Sequence, residues 1–304
     1  MKWQIGSKPV AIIAVFFLFY ICFGAWNYVS YDKVNNTQDF DFHFKRVQGI
    51  DENPKYLPGY HAIFSLFGWN QFLFYSANVF LICVLIPILL YLLKNNWWVV
   101  AIYFCGIPLA HQLLYGATYP QALVLVFFLA YLVYRKRFGM HPGALIWLTI
   151  AATLTHNLGL ALFSIIWLLE SLSIIFKKSG LEKHIEEFIG KYGAVGWIGP
   201  SQMIGLKGAI ELFFFQLPIP VLIYGFSGLK SLFYAVLVIV SIAGTPFDFR
   251  AISIAQLILV FGTSEAIKGK SKKIKVGFVI FLIAQVAFYL LDYGLGTWKY
   301  IVLN

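Results

Sequence analysis

The 304 residues predict an all-α integral membrane protein with about nine or ten transmembrane helices and an amphipathic first external loop. Three observations carry this expectation. Hydrophobic residues make up 60% of the chain and charged residues 12%, at a mean hydropathy of +0.78, whereas a soluble domain carries about 25% charged residues. The apolar residues fall in runs of span length, and a bilayer core of ~30 Å takes about 20 of them per helix. The basic residues stand in short clusters beside those runs: Arg135, Lys136 and Arg137; Lys177 and Lys178; Lys268, Lys270, Lys272, Lys273 and Lys275. Such clusters anchor the cytoplasmic ends of spans. They account for most of the net charge of +10 without nucleic acid as a partner. Membrane lipids are then the main surroundings, and residues 1–304 read as one transmembrane domain.

The elements follow in order. The first apolar run, residues 9–28, comes after Lys2 and Lys8; it is long, lacks a small-residue cleavage site, and is expected to be retained as a first span entering from the cytoplasm. Residues 29–70 form the first external loop, with Asp32, Asp39, Asp41, Asp51 and Glu52 as the densest group of acids in the chain. Runs at 71–93, 97–109 and 119–134 cross back, out and back again, the last ending at Arg135. Residues 141–176 are long enough for two short spans meeting near His156, or for one span and a peripheral helix. Residues 179–207, with Gly190, Gly193, Gly196, Gly199 and Pro200, read as an irregular loop. Further apolar runs lie at 208–226, 231–244, 251–267 and 276–291. Counting every run as a span puts the five lysines of residues 268–275 on the wrong side. Five lysines in eight residues are hard to translocate, so the count is off by one crossing between residues 141 and 207. Asp248 and Arg250 then face outward with the first loop. Cys22, Cys83 and Cys105 lie in apolar stretches without metal-ligand spacing, and no disulfide framework is expected.

The chemistry-bearing residues concentrate in the first loop. A helix over residues 39–48, at ~100° per residue, aligns Asp39, His43 and Arg46 on one stripe and Phe40, Phe44 and Val47 on another. That pattern predicts an in-plane helix lying on the bilayer with its phenylalanines down. Asp41 falls nearly opposite Asp39, beside Lys45, where an ordinary ion pair accounts for it. A Pro58-Gly59 turn then leads into a second short apolar helix bearing Tyr60 and His61. His156 stands between two apolar runs, and an ionisable residue there needs a partner or a cavity. Glu170 and Glu211 read equally well as interhelical hydrogen-bond partners and stay outside the site.

The elements Asp39-Phe-Asp-Phe-His43-Phe-Lys-Arg46 and Tyr56-Leu-Pro-Gly-Tyr-His61, followed by Leu154-Thr-His156-Asn-Leu-Gly-Leu160 and Asp248-Phe-Arg250, resemble in order and spacing the GT-C class of polytopic membrane glycosyltransferases. That class includes oligosaccharyltransferase catalytic subunits and protein O-mannosyltransferases. The resemblance implies transfer of a sugar from a polyprenyl-phosphate donor to an acceptor at the non-cytoplasmic face; neither the sugar nor the acceptor is named by it. It further implies Asp39 or Asp41 as the base, Asp39 occupying the motif position. His43, Arg46, Tyr56, Tyr60, His61, His156, Asp248 and Arg250 would hold substrate, with Arg250 or Arg46 gripping phosphate. The resemblance fixes no cofactor; a divalent cation, Mg²⁺ or Mn²⁺, is the one that Asp39 and Asp41 are of the type to hold. The alternatives are a secondary transporter, for which Pro218 and Pro220 are the broken-helix signal, a histidine-dependent polymer ligase using His156, and a non-catalytic subunit of a larger complex.

Overall fold

The structure, a computed structural model, describes residues 5–35, 37–50, 57–175, 217–228 and 249–295, and among them every regular element is helical. The first helix, α1 (Ser7–Tyr31), is apolar on all sides. Ile13, Phe16, Tyr20 and Gly24 recur at helical spacing and are buried, while Val15, Leu18, Trp26 and Val29 are exposed. A helix apolar on its outer face as well as its inner one suits a lipid solvent. It ends at Asp32, whose φ of 55° turns the chain away.

Two short helices follow, α2 (Gln38–Val47) and α3 (Gly59–Phe64), the latter running into a 3₁₀ turn. Asn70 then caps α4 (Gln71–Lys94), its side chain accepting from the Phe72 and Leu73 amides at 2.8 and 3.1 Å. A π-helical turn over Leu81–Leu85 interrupts α4, and the Tyr103 hydroxyl donates to the Ile82 carbonyl there at 3.0 Å. The Tyr75 ring lies over Gly24 of α1, where a Cβ would come within 2.3 Å of it.

The helices α5 (Trp98–Gly106) and α6 (Leu109–Tyr115) are bent by 54° at Ile107-Pro108. His111 fills the bend. Its Nε2 donates to the Phe104 carbonyl at 2.9 Å and its Nδ1 is bonded to the Tyr20 hydroxyl. A long helix, α7 (Tyr119–Phe138), carries Arg135 to Arg137 in its last turn. The pair α8 (Pro142–Thr155) and α9 (Asn157–Ile175) meets at His156. Gly159 lies so close under the Ala152 carbonyl that a Cβ there would come to 2.1 Å. Two helices, of 14 and 19 residues, thus meet at the place near His156 where the sequence placed a break. The last elements are α10 (Ile219–Gly228), packed through Gly225 and Gly228 on Leu259 and Gly262, then α11 (Phe249–Lys268) and α12 (Lys272–Leu295).

By length and composition, α1 and α4 can each cross a membrane, and the bent α5–α6 pair is a third if counted as one span. Of the nine or ten crossings expected, these suffice by that measure among the described residues. The irregular loop expected at 179–207 and the run at 231–244 lie outside them.

The cationic residues gather at one end of the bundle. Lys94 pairs with Glu265 at 2.5 Å, Lys136 donates to the Leu93 carbonyl at 2.5 Å, and Lys8 lies over the Trp97 ring at 5.4 Å. Glu170, 1% exposed, returns α9 to this end. It accepts from the Tyr131 hydroxyl at 2.8 Å and from the Arg135 guanidinium through both oxygens, as its reading as an interhelical partner requires. Removing one member of a buried pair strands the other charge and costs about 3–5 kcal/mol. Glu170→Ala is therefore expected to lower the unfolding midpoint in detergent, and adding Arg135→Met should recover part of the loss. A single variant as stable as the parent would show that the pair is solvated.

Candidate functional site

The opposite end holds α2, α3 and the α8–α9 junction. Thr37 starts α2 by accepting the Phe40 amide on its hydroxyl at 3.3 Å. Asp39 and Asp41 sit in the first turn, Lys45 and Arg46 in the last. Each sign of charge thus stands at the helix end that favours it. The buried face is Phe40, His43, Phe44 and Val47.

That face corrects two expectations. The phenylalanines cover protein instead of lipid: Phe40 and Phe44 lie 5.6 and 5.7 Å from the Phe74 ring of α4, Phe40 lies 6.3 Å from Tyr119, and Val47 closes over Gly68. His43 belongs to this face and not to the open stripe of Asp39 and Arg46. At ~100° per residue it stands about 40° from Asp39 and about 60° from Phe40, an edge position that either face can claim. A partner on the inner side decides it. His43 Nδ1 lies 3.0 Å from His61 Nε2 on α3, with the rings stacked at 5.2 Å. Burial pushes the His43 pKa down to about 3, with His61, His156 and Arg46 adding to the fall. His43 is therefore neutral at ordinary pH.

The start of α3 is pressed against the end of α8. A Cβ on Gly59 would stand 2.7 Å from the Leu154 carbonyl oxygen, so only glycine fits after Pro58. Tyr60 is fully buried; its hydroxyl donates to Asn78 Oδ1 at 2.9 Å and its ring stacks on Phe64 at 4.5 Å. It ties α3 to α4 and does not face an open space. His156, half-buried, accepts the Leu158 amide on Nδ1 at 3.0 Å and so caps α9, while standing near enough to bear on His43.

An open groove of about 310 Å³ lies between α2 and α3, lined by Arg46, Val47, Gly49, Pro58, His61, Ala62 and Ser65. Arg46 and His61 thus share a wall, and His43 holds His61 from behind. Ser65 escaped the sequence reading, although it follows His61 by four residues and so shares its face of the helix. The carboxylates stand apart from the groove, Asp39 preceding Arg46 by seven residues, about 10 Å along a helix axis. Asp39 is exposed, yet the neighbouring protein withholds enough water to raise its pKa above the usual 3.8. Asp41 turns to Lys33 at 3.5 Å, not to Lys45. The two carboxylates are thereby divided, and among the described residues no three His, Cys, Asp or Glu side chains could hold a metal ion. Tyr56 and Asp248 lie outside the described residues, as does the side chain of Arg250, whose backbone is in the first turn of α11. That helix is ~30 Å long. Its Lys268 end belongs to the cationic pole, so Arg250 begins at the pole of α2 and α3.

No protein-family model, curated protein or solved structure matches this chain.

A histidine whose pKa falls on folding binds fewer protons native than unfolded between its two values. Stability should therefore drop as pH falls from about 6.5 toward 3 and be fully restored above 6.5. His43→Phe, which keeps the burial, is expected to flatten that slope in melting experiments between pH 7 and pH 4. An unchanged slope would place the titration on other groups.

Proposed function

We propose that the chain is a multi-pass membrane glycosyltransferase of GT-C type, moving a sugar from a polyprenyl-phosphate donor to an acceptor at the non-cytoplasmic face. The observation that carries this reading is the open wall of Arg46 and His61 about 10 Å along α2 from an exposed carboxylate of raised pKa. Displacement at the anomeric carbon needs a base on the acceptor's side and a stabiliser for the departing phosphate on the other.

In this reading Asp39 takes the proton from the acceptor hydroxyl as its oxygen attacks the sugar. The bond from the anomeric carbon to the phosphate oxygen breaks, and the negative charge that collects on phosphate meets the Arg46 guanidinium, a planar donor fork suited to it. Arg250, beginning α11 at the same pole, is a second contact for that phosphate. Asp41, occupied by Lys33, is the weaker base.

Asp39→Asn is expected to fold and bind donor normally but to lower turnover ~10²–10⁴-fold, the range for losing a general base. Asp41→Asn should cost less. Because desolvation raises the Asp39 pKa, the acid limb of kcat/KM should lie above the range of an ordinary carboxylate. Normal transfer by the double Asn variant would remove this loop from the chemistry.

The accompanying topology has the amino terminus, Arg135 to Arg137 and the lysines of residues 268–275 in the cytoplasm, with Asp39 to His61 and Arg250 outside. Gln38→Cys and Lys272→Cys should label from opposite sides with an impermeant thiol reagent. Labelling of both from one side would overturn it.

One observation favours transport as a second reading. The bend between α5 and α6 carries the buried polar residues His111 and Gln112, and Gln256 of α11 donates to Gln112 at 3.4 Å. Broken helices with polar groups mark transporter sites. Solute uptake into proteoliposomes that depends on Gln112 and not on Asp39 would decide for it.

A further inference from the structure

We infer that the hairpin joining α11 to α12 gathers anionic phospholipid around the cationic end of the bundle. This goes beyond the reading above and holds whichever reaction the other pole performs. Lys268 closes α11, Lys270 stands in the turn, and Lys272, Lys273 and Lys275 open α12. The first four are exposed, and among the described residues none of the five enters an ion pair. The neighbouring cations are taken up by the protein itself: Lys94 by Glu265, Arg135 by Glu170, Lys136 by the Leu93 carbonyl and Lys8 by the Trp97 ring. From Ala266 to Leu291 the chain has no acid. The charge of the hairpin is thereby left for something outside the protein.

The hairpin is held at both feet, so its depth is fixed. Asn96 Nδ2 donates to the Ser264 carbonyl at 2.9 Å beside the Lys94–Glu265 pair, and the Phe278 ring packs on Trp98 and Tyr224 at 6.0 and 5.6 Å. Lys275 and Lys272 precede Phe278 by three and six residues and stand ~5 and ~9 Å further out along the helix axis. Trp favours the headgroup level of a bilayer, and the negative potential of an anionic leaflet reaches about one Debye length, ~8–10 Å, beyond the surface. The lysines lie within that reach. Below them Val276, Ile280 and Ile283 form an exposed stripe on α12. Lys273, three residues before Val276, heads the stripe, where its alkyl stem follows the apolar surface and its ammonium the headgroups. A neutral headgroup offers these cations nothing, and a soluble polyanion has no use for the stripe beneath them.

The test uses the full chain in discs of mixed phosphatidylcholine and phosphatidylglycerol, with Cys22→Ser removing the exposed native thiol and Ser271→Cys carrying a bimane fluorophore in the turn. Phosphatidylglycerol and phosphatidylcholine bearing the same acyl-chain spin label are compared as quenchers. Phosphatidylglycerol should be preferred by about fivefold or more, the ratio set by a single lysine at an anionic surface, and high salt should bring the ratio toward one. Changing Lys268, Lys270, Lys272 and Lys273 together to Gln should abolish the preference, and changing the same four to Arg should keep it. Equal quenching by the two lipids in the parent, a preference that salt does not weaken, or one that survives in the Gln variant would each overturn the proposal. Protection of the fluorophore by a soluble single-stranded oligonucleotide in the same discs would overturn it as well, since the hairpin would then serve a polyanion in solution. If the Gln variant does not insert, the preference of the parent and its salt dependence decide by themselves.

Discussion

A backbone polar group buried away from water must find its partner inside the protein, and the irregular parts of this molecule are built around that requirement. Wherever a helix is broken, a particular side chain completes it. The π turn in α4 leaves the Ile82 carbonyl to the Tyr103 hydroxyl. The bend between α5 and α6 leaves the Phe104 carbonyl to His111. The α8–α9 junction leaves the Leu158 amide to His156, and the start of α4 leaves two amides to Asn70. Of these residues only His156 reads from the sequence as a candidate for chemistry. Three of the four serve the backbone with no link to the groove. His156 does so while also facing His43.

Charge is arranged by the same economy. The cationic pole is pinned by pairs that link helices distant in sequence, Lys94 with Glu265 and Arg135 with Glu170. At the other pole Asp39 and Asp41 lie on α2, a helix short enough for both of its ends to be part of one site. Its dipole sets carboxylates at the start and cations at the finish. This is the ordering that a proton acceptor and a phosphate contact on opposite sides of one sugar would need. The groove is held by apolar contacts beneath it: Phe40, Phe44 and Tyr60 gather on Phe74, so that Arg46 and His61 are carried on a rigid floor. A site supported in this way keeps its geometry better than one borne on a free loop.

The sequence by itself determined the helical class, the polarity of the two poles, the limits of α2 to within a residue, and the start of α3 after Pro58. These depend on neighbours within a turn or two, where apolar spacing, a threonine cap and a Pro-Gly step act directly on the backbone. Only the tertiary structure decided that His43 turns inward, that His61, eighteen residues on, is its partner, that Tyr60 is a tie to Asn78, and that Asp41 answers to Lys33 instead of Lys45. An amphipathic pattern says that one face is covered without saying by what, so the phenylalanines of α2 suit a bilayer as well as they suit Phe74. A histidine at the edge of that face is settled by the first partner within reach. That partner is delivered by the packing of α3 between α4 and the end of α8, where Gly59 alone admits the close approach.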